Sequence, residues 1–423
     1  MRFSLDVLPA RKGDCLILHY GTENEPRLVM IDGGPSGVYK PHLKPRLAQL
    51  RKKINGDNDK PLSVELLMVS HIDDDHIHGI IDLTDELGIT LAAKKPLPIK
   101  LRGLWHNSFD DIIGNNPEEF TAAVTAQFGA AALTGEFETE GLELTAALVL
   151  AGVAQGRELR DAAKKLKLAL NPQFDGKLVM TKTTAQPIEI DGLKLTIVGP
   201  MQPELEALRR EHDAWLKKHP EEQRTVASLA AFTDESVPNL SSIVVLAELE
   251  GTSMLLTGDA RGDKILEGLQ LVGKLDPGDT STMEVDLLKV PHHGSSRNMR
   301  TDFFERVLAK HYVFSGNGQH GNPERDTLEM LFEARGEEPF VMHFTYPIDE
   351  IDVERKEDWE KEQNKEKLRK KNNSKAKVRA DWSDEANSLT AFFKERKLAK
   401  GQEIKIVQEG QPHVIDLLDK VGF

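Results

Sequence analysis

Three observations predict an α/β fold for this chain, with an inserted helical segment and a charged C-terminal extension. Short runs rich in Val, Ile, Leu and Phe recur along it. Stretches of helical character separate many of them, and several runs close on a Gly, Asp or His. Strands interleaved with helices build a sheet covered by helices, and strand ends on one edge of such a sheet lie together, where ligands gather.

In order, Arg2 to Leu8 alternates as a strand, Gly13-Asp14 turns, and Cys15 to Tyr20 and Arg27 to Ile31 follow as two more strands. Short strands joined by Gly-containing turns predict an antiparallel meander. Residues 41–54 read as a helix, Glu65 to Val69 as a buried strand and Gly79 to Leu87 as a helix. Residues 109–170 are Ala- and Leu-rich with apolar spacing near 3.6, which predicts two to four helices. Strands return at Ile188 to Ile190, Leu193 to Val198, Ser242 to Leu249, Ser253 to Thr257, Val285 to Val290, Tyr312 to Ser315 and Phe340 to His343, with a helix over 203–219. Residues 350–379 are highly charged and read as a solvated helix or loop, or as a phosphate-contacting arm through the basic run Lys365 to Arg379. Residues 403–407 suit a last edge strand. The expected organisation is 1–104 and 186–347 as two halves of one domain, 105–185 as a mainly helical insertion, 348–400 as a charged segment and 401–423 as a strand and tail.

The bulk numbers are permissive. A length of 423 residues with 39% hydrophobic content supports a sizeable core. A net charge of −14 weighs against nucleic-acid binding over the whole surface. Cys15 is the single cysteine, so no intrachain disulfide forms and a reducing compartment is expected. The apolar stretch Ala146 to Ala154 is well short of the ~20 residues that span a bilayer, and no signal-peptide pattern opens the chain. A soluble cytoplasmic protein without a membrane span is the expectation.

The chemistry concentrates in His71-Ile72-Asp73-Asp74-Asp75-His76, directly after the strand run Leu66 to Val69. Imidazole nitrogens suit zinc and other first-row metals, and carboxylates also accept manganese or magnesium. Three later segments have the same strand-then-ligand form. Thr257-Gly258-Asp259 ends in a carboxylate that can bridge two cations, Pro291-His292-His293-Gly294 carries paired histidines, and Ser315-Gly316-Asn317 is small and polar. Asp259 also suits a helix N-cap. The residues therefore point to one or two divalent ions, Zn²⁺, Mn²⁺ or Mg²⁺, and to hydrolysis by metal-activated water.

With Gly13-Asp14, Asp32-Gly33-Gly34, the HxDxDH string from His71 to His76, Thr257-Gly258-Asp259 and Leu288 to Ser295 in order, the chain resembles the metallo-β-lactamase-fold hydrolases. It looks most like the ComEC-like subgroup of that family. The resemblance covers about residues 1–100 and 186–345. It implies an αββα sandwich in which His71 and Asp73 hold a first metal, Asp75, His76 and His292 a second, and Asp259 bridges them, with His293 as the alternative to His292. It further implies that Asp32 orients the ligand loop, that Lys289 contacts a substrate phosphate, and that Ser295, Ser296 and Asn317 line the pocket. Asp75 and Lys289 are the expected catalytic side chains. The family's third histidine for the first metal has no counterpart: His106, His212 and His219 do not fit it, and Asn239, Ser241 and Ser242 stand near its place. His320 could touch substrate, while Trp105, His106, Asp14 and Cys15 read as structural.

Three functions follow as expectations. The first is a phosphodiesterase or nuclease, with nucleic acid or another phosphoester as substrate. The second is a hydrolase of a small ester, amide or thioester. The third is a non-catalytic protein that binds a protein partner through the helical insertion.

Overall fold

The computed structural model describes residues 1–56, 60–108, 144–182, 186–203, 205–206, 210, 242–278, 280–372, 375–408 and 410–422. Two mixed sheets, of seven and eight strands, organise them.

The first sheet starts with the meander β1 (Arg2–Val7), β2 (Leu16–Gly21) and β3 (Pro26–Ile31), antiparallel throughout. β4 (Leu62–Val64) leaves this sheet to pair with β6 (Ile99–Leu101). β5 (Leu66–Met68), β7 (Gly103–Trp105) and β8 (Ala169–Leu170) then extend the sheet beyond β3 in parallel. Parallel strands covered on both faces read as continuous apolar runs, and Leu66, Leu67 and Met68 are all buried.

The second sheet opens antiparallel with β9 (Ile188–Ile190), β10 (Leu193–Gly199), β11 (Val244–Leu249) and β12 (Thr252–Leu256). It continues in parallel with β13 (Met283–Lys289), β14 (Val307–Phe314), β15 (Phe340–Phe344) and β16 (Gln402–Ile406), the last an edge strand where 403–407 was expected to supply one. β17 (Val414–Asp416) returns to the free edge of β1, a pairing that the short, mixed sequence around it does not announce.

Alternation along the strands sorts side chains into three cores. Phe3, Leu5, Leu18, Val29, Ile31 and Met68 of the first sheet meet Leu195, Val245, Met254 and Leu287 of the second. The opposite side chains of the first sheet, such as Ile17, Met30 and Leu67, pack under α1 (Lys44–Asn55), α2 (Asp74–Ala92) and α3 (Leu144–Lys165). The outer face of the second sheet is covered by α4 (Gly262–Leu271), α5 (Thr301–Arg306) and α6 (Arg325–Arg335). The start of α7 (Ile348–Asn372) adds Ile351; beyond the short α8 (Asp384–Asn387), α9 (Leu389–Glu395) adds Leu389 and Phe392. The fold is α/β, layered with helices outside and sheets inside.

Two expectations change in detail. The helix expected over 79–87 starts inside the ligand string, at Asp74. Asp74 and Asp75 sit in its first turn, where carboxylates complement the helix dipole. Of the helical segment, residues 109–143 lie outside the described residues. The rest is built into the first sheet's outer layer, since α3 packs on α2 and β8 pairs with β7. The charged stretch forms α7, steadied by the Arg379 guanidinium 4.9 Å over the Trp359 ring. Most of the helix expected over 203–219 lies outside the described residues.

A chain of imidazoles ties the second sheet to the C-terminal edge of the first. His311 Nδ1 lies 3.0 Å from His343 Nε2, and His343 Nδ1 lies 2.8 Å from His413 Nε2. Burial, with His413 and His311 alongside, pushes His343 down to about 2, and burial lowers His311 and His413 in the same direction. Such a group is neutral in the fold and protonates on unfolding below about pH 6.5, so its stabilising effect is full above that pH and falls as pH drops towards 2. Urea unfolding at pH 7.5 and 5.5 should show a loss of about 1.4 kcal/mol from His343 alone, and His343→Gln should shrink that difference. An equal loss in the variant would contradict the assignment.

Candidate metal centre

The centre is assembled where five strands end. After β3, Asp32 adopts a left-handed backbone (φ +57°), which Asp tolerates better than most residues. Its turned-in carboxylate accepts Ser70 N–H and Ser70 Oγ–H, each at 2.7 Å, and faces His76 Nδ1 at 2.8 Å. One buried side chain thus ties the end of β3, the end of β5 and the first turn of α2. The turns approach so closely that glycine is required. A β-carbon on Gly79 would stand 2.0 Å from Gly33 O, and one on Gly13 1.8 Å from Asp75 O.

From the second sheet, β12 leads into Thr257-Gly258-Asp259, and Asp259 N–H donates to Ser242 Oγ at 3.3 Å. β13 leads into His292 and His293, with φ of +48° and +54°. Two successive non-glycine residues in this region are strained, and the result is that both imidazoles reach one carboxylate. β14 leads into Ser315, whose hydroxyl lies 3.1 Å from His293 Nδ1.

Asp259 is the hub, and its two oxygens face different partners. Oδ1 lies 3.3 Å from His76 Nε2 and 3.4 Å from His293 Nε2. Oδ2 lies 3.6 Å from His292 Nε2 and 3.7 Å from His71 Nε2. His71 Nε2 is also 3.5 Å from Asp73 Oδ2, and Asp75 Oδ2 is 4.0 Å from His293 Nε2. Ligand atoms of His71, His76 and Asp259 cluster within 4.8 Å, as do those of Asp75, His76 and His293, and those of His71, Asp73 and Asp75.

The electrostatics favour positive charge. Burial opposes the charged imidazolium of His76, but Asp259 and Asp32 override it and hold His76 well above the usual range. His293 is raised against burial by Asp259 and Asp14. Asp259 and Asp14 remain charged despite burial, held down by His293 and His292 in one case and by Lys289 in the other. His292 is lowered, burial outweighing Asp259. The residues fit a divalent cation on independent grounds as well. His71 Nε2 is buried with no hydrogen-bond partner, Asp259 Oδ1 makes no hydrogen bond beyond its ion pairs with imidazoles, and His76 Nε2 and His293 Nε2 lie 3.3 Å apart, so these four residues would be the ones to hold a cation.

The remaining expected residues are placed as follows. His293, rather than His292, stands with Asp75 and His76, because His293 is buried while His292 is 31% exposed and turned to the other oxygen of Asp259. Lys289 is 1% exposed. It pairs with Asp14 Oδ2 at 2.5 Å and donates to Gly258 O at 3.1 Å, so it braces the turn before Asp259. Ser295 is buried, Ser296 donates to Glu324, and Asn317 Oδ1 accepts from Gln319 N–H at 3.3 Å within its own turn. Trp105 is core, with Nε1 on Gln173, and His106 is buried beside Gly156 of α3. Cys15 is buried and its thiol raised by burial. Ser242 lies under Asp259, while Asn239, Ser241, His212 and His219 lie outside the described residues. Ser315 lies in the small polar segment expected after its strand, while Asp14, expected to be structural, and Ser70 also join the centre. The signal for Ser70 is its position directly before the first ligand.

No family model matches the chain. It is 32% identical over 100 residues to ComE operon protein 3 of Bacillus subtilis, covering 23% of this chain and 12% of that protein. It is 34% identical over 98 residues to microtubule-associated protein 1A of Rattus norvegicus, covering 23% of this chain and 3% of that protein. It is 47% identical over 51 residues to the microtubule-associated protein futsch of Drosophila melanogaster, covering 12% and 1%. The chain thus spans 12% or less of the length of these curated relatives. A protein of unknown function from Enterococcus faecalis V583 aligns over 82% of this chain and 71% of its own at 10% identity, with a TM-score of 0.27. The resemblance to ComE operon protein 3 is weak and partial, and the His/Asp clusters are compatible with it. Among the described residues no helix is long and apolar enough to cross a membrane.

Elemental analysis of purified protein should find a bound divalent metal, and Asp259→Ala should lose it. Added metal at a hundred times its dissociation constant should stabilise the wild type by about 2.7 kcal/mol in thermal melts and leave Asp259→Ala unmoved.

Proposed function

We propose that the protein is a metal-dependent hydrolase of the metallo-β-lactamase fold, acting on phosphoesters as a phosphodiesterase or nuclease. The observation that carries this is Asp259, a buried carboxylate with His71 and His292 on one oxygen and His76 and His293 on the other. Asp73 extends the first set and Asp75 the second. A divalent cation in either set would act as a Lewis acid, neutralising charge on a phosphoryl group and lowering the pKa of water.

The chain's own residues divide the remaining work. Asp75 is partly exposed at the open side of the centre, where its carboxylate can orient the attacking water and take its proton. Asp32 and Ser315 fix the rings of His76 and His293 through their Nδ1 atoms. Lys289 is a positioning residue, neutralising Asp14 beneath the site. The oxygen-rich ligand string and the exposed Arg369, Lys370, Lys371 and Lys377 at the far end of α7 and beyond it favour a polyanionic substrate. A small ester, amide or thioester is the second reading. It is favoured by α3, whose Gln155 donates to Asp74 at 2.8 Å and so walls one side of the ligand loop.

Incubation with single-stranded DNA, RNA and bis(p-nitrophenyl) phosphate in Mn²⁺ or Zn²⁺ is the test. Turnover is expected, reduced about 100-fold or more by Asp75→Ala. No turnover with any metal, or full turnover in the variant, would refute the phosphoesterase reading. Hydrolysis of carboxylic esters or thioesters alone would establish the second.

A further inference from the structure

Lys12 and His320 come from turns 308 positions apart and meet with Lys12 Nζ 3.4 Å from His320 Nε2. Lys12 immediately precedes Gly13, whose backbone is pressed against Asp75. His320 lies in the field of both Asp75 and His293. The two basic side chains therefore stand at the rim of the metal centre, on the Asp75 side.

Their position is built rather than incidental. The turn carrying His320 is clamped by α7, with Arg355 Nε donating to Gly321 O at 3.1 Å and Gln319 Nε2 to Glu354 at 3.2 Å. His320 itself takes a left-handed backbone (φ +57°). On the other side, Arg11 N–H donates to Tyr346 Oη at 2.6 Å, which anchors the turn before Lys12. Lys12 is half-buried, and among the described residues it forms no ion pair, although the ligand loop beside it is rich in aspartate. An ammonium that meets an imidazole and is ion-paired to none of the nearby carboxylates keeps N–H donors for a further acceptor.

We propose that Lys12 and His320 form an anion subsite that receives a phosphate group adjoining the scissile ester. The inference rests on the phosphoesterase reading and names its substrate class: a phosphodiester carrying a second phosphate next to the bond that is cut. Lys12 supplies a charge-assisted hydrogen bond to that phosphate, and His320 a neutral N–H from Nδ1, its Nε2 accepting from Lys12.

The test is binding, measured by calorimetry on the metal-loaded full chain. The probes are thymidine dinucleotides whose bridging ester oxygen is replaced by methylene, so that they resist cleavage. They carry no terminal phosphate, a 5′-phosphate or a 3′-phosphate. One of the terminal phosphates should tighten binding at least tenfold in the wild type. Lys12→Ala should erase that gain, Lys12→Arg should keep most of it, and His320→Ala should reduce it, with thermal melts confirming that each variant is folded. If neither terminal phosphate tightens binding, or the gain survives Lys12→Ala, the subsite is overturned. If the gain depends on Lys12 but bis(p-nitrophenyl) phosphate and oligonucleotides are not hydrolysed, the subsite stands and the catalytic reading fails.

Discussion

The buried carboxylate of Asp259 constrains everything around it. Taking a carboxylate out of water costs several kcal/mol unless opposite charge and hydrogen-bond donors surround it. Here the compensation comes from both sheets: His71 and His76 from the first, His292, His293 and Lys289 from the second. No single sheet could surround Asp259 in this way. The two inner faces therefore have to meet in a fixed register, and the apolar core between them sets that register. Asp32 does the same for the first half of the site, holding Ser70 and His76 to the end of β3.

Close backbone approach is the second condition. The Gly33 turn touches Gly79 of α2, and the Gly13 turn touches the ligand loop at Asp75, at distances that exclude a side chain. The ligand string is consequently packed on the loop after β1 and on the loop after β3, and Asp75 is held by the Asp14 N–H to Asp75 O contact at 3.3 Å. The C-terminal region contributes in the same spirit. α7 runs as a charged helix in solvent for most of its length, but its first turns hold the loop of His320, and Ile351 enters the core under the second sheet. A segment that composition describes as solvated is thereby coupled at one end to the rim of the site.

Much of this was legible in order of appearance. The Gly-Asp turn, the Asp-Gly-Gly strand end, the HxDxDH string, the Thr-Gly-Asp end and the paired histidines mark the positions that converge, because each follows an apolar run that must be a buried strand. The meander of β1 to β3 and the edge strand β16 were readable from alternation and turns. β17 was not, since three residues with mixed burial carry no periodicity of their own and pair only because β1 offers an open edge. The start of α2 was misplaced because Asp-rich stretches have low helix propensity; the dipole and the anchoring of His76 to Asp32 outweigh that preference.

By itself the sequence determined the kind of chemistry available: which residues can hold a cation, that they follow strands, and that the arrangement is α/β. Only the tertiary structure decided direction. It turned His293 inward and His292 to the opposite oxygen of Asp259, because consecutive left-handed residues swing the two rings apart about a common target. It buried Lys289 against Asp14, because β13 lies centrally in its sheet and presents the lysine to the interior beneath the site. It brought Lys12 to His320 across most of the chain's length, because the loop after β1 and the loop after β14 meet although their strands belong to different sheets. A linear string records which groups are present, whereas the side of a turn on which each group emerges depends on backbone angles and neighbours that exist only once both sheets have packed.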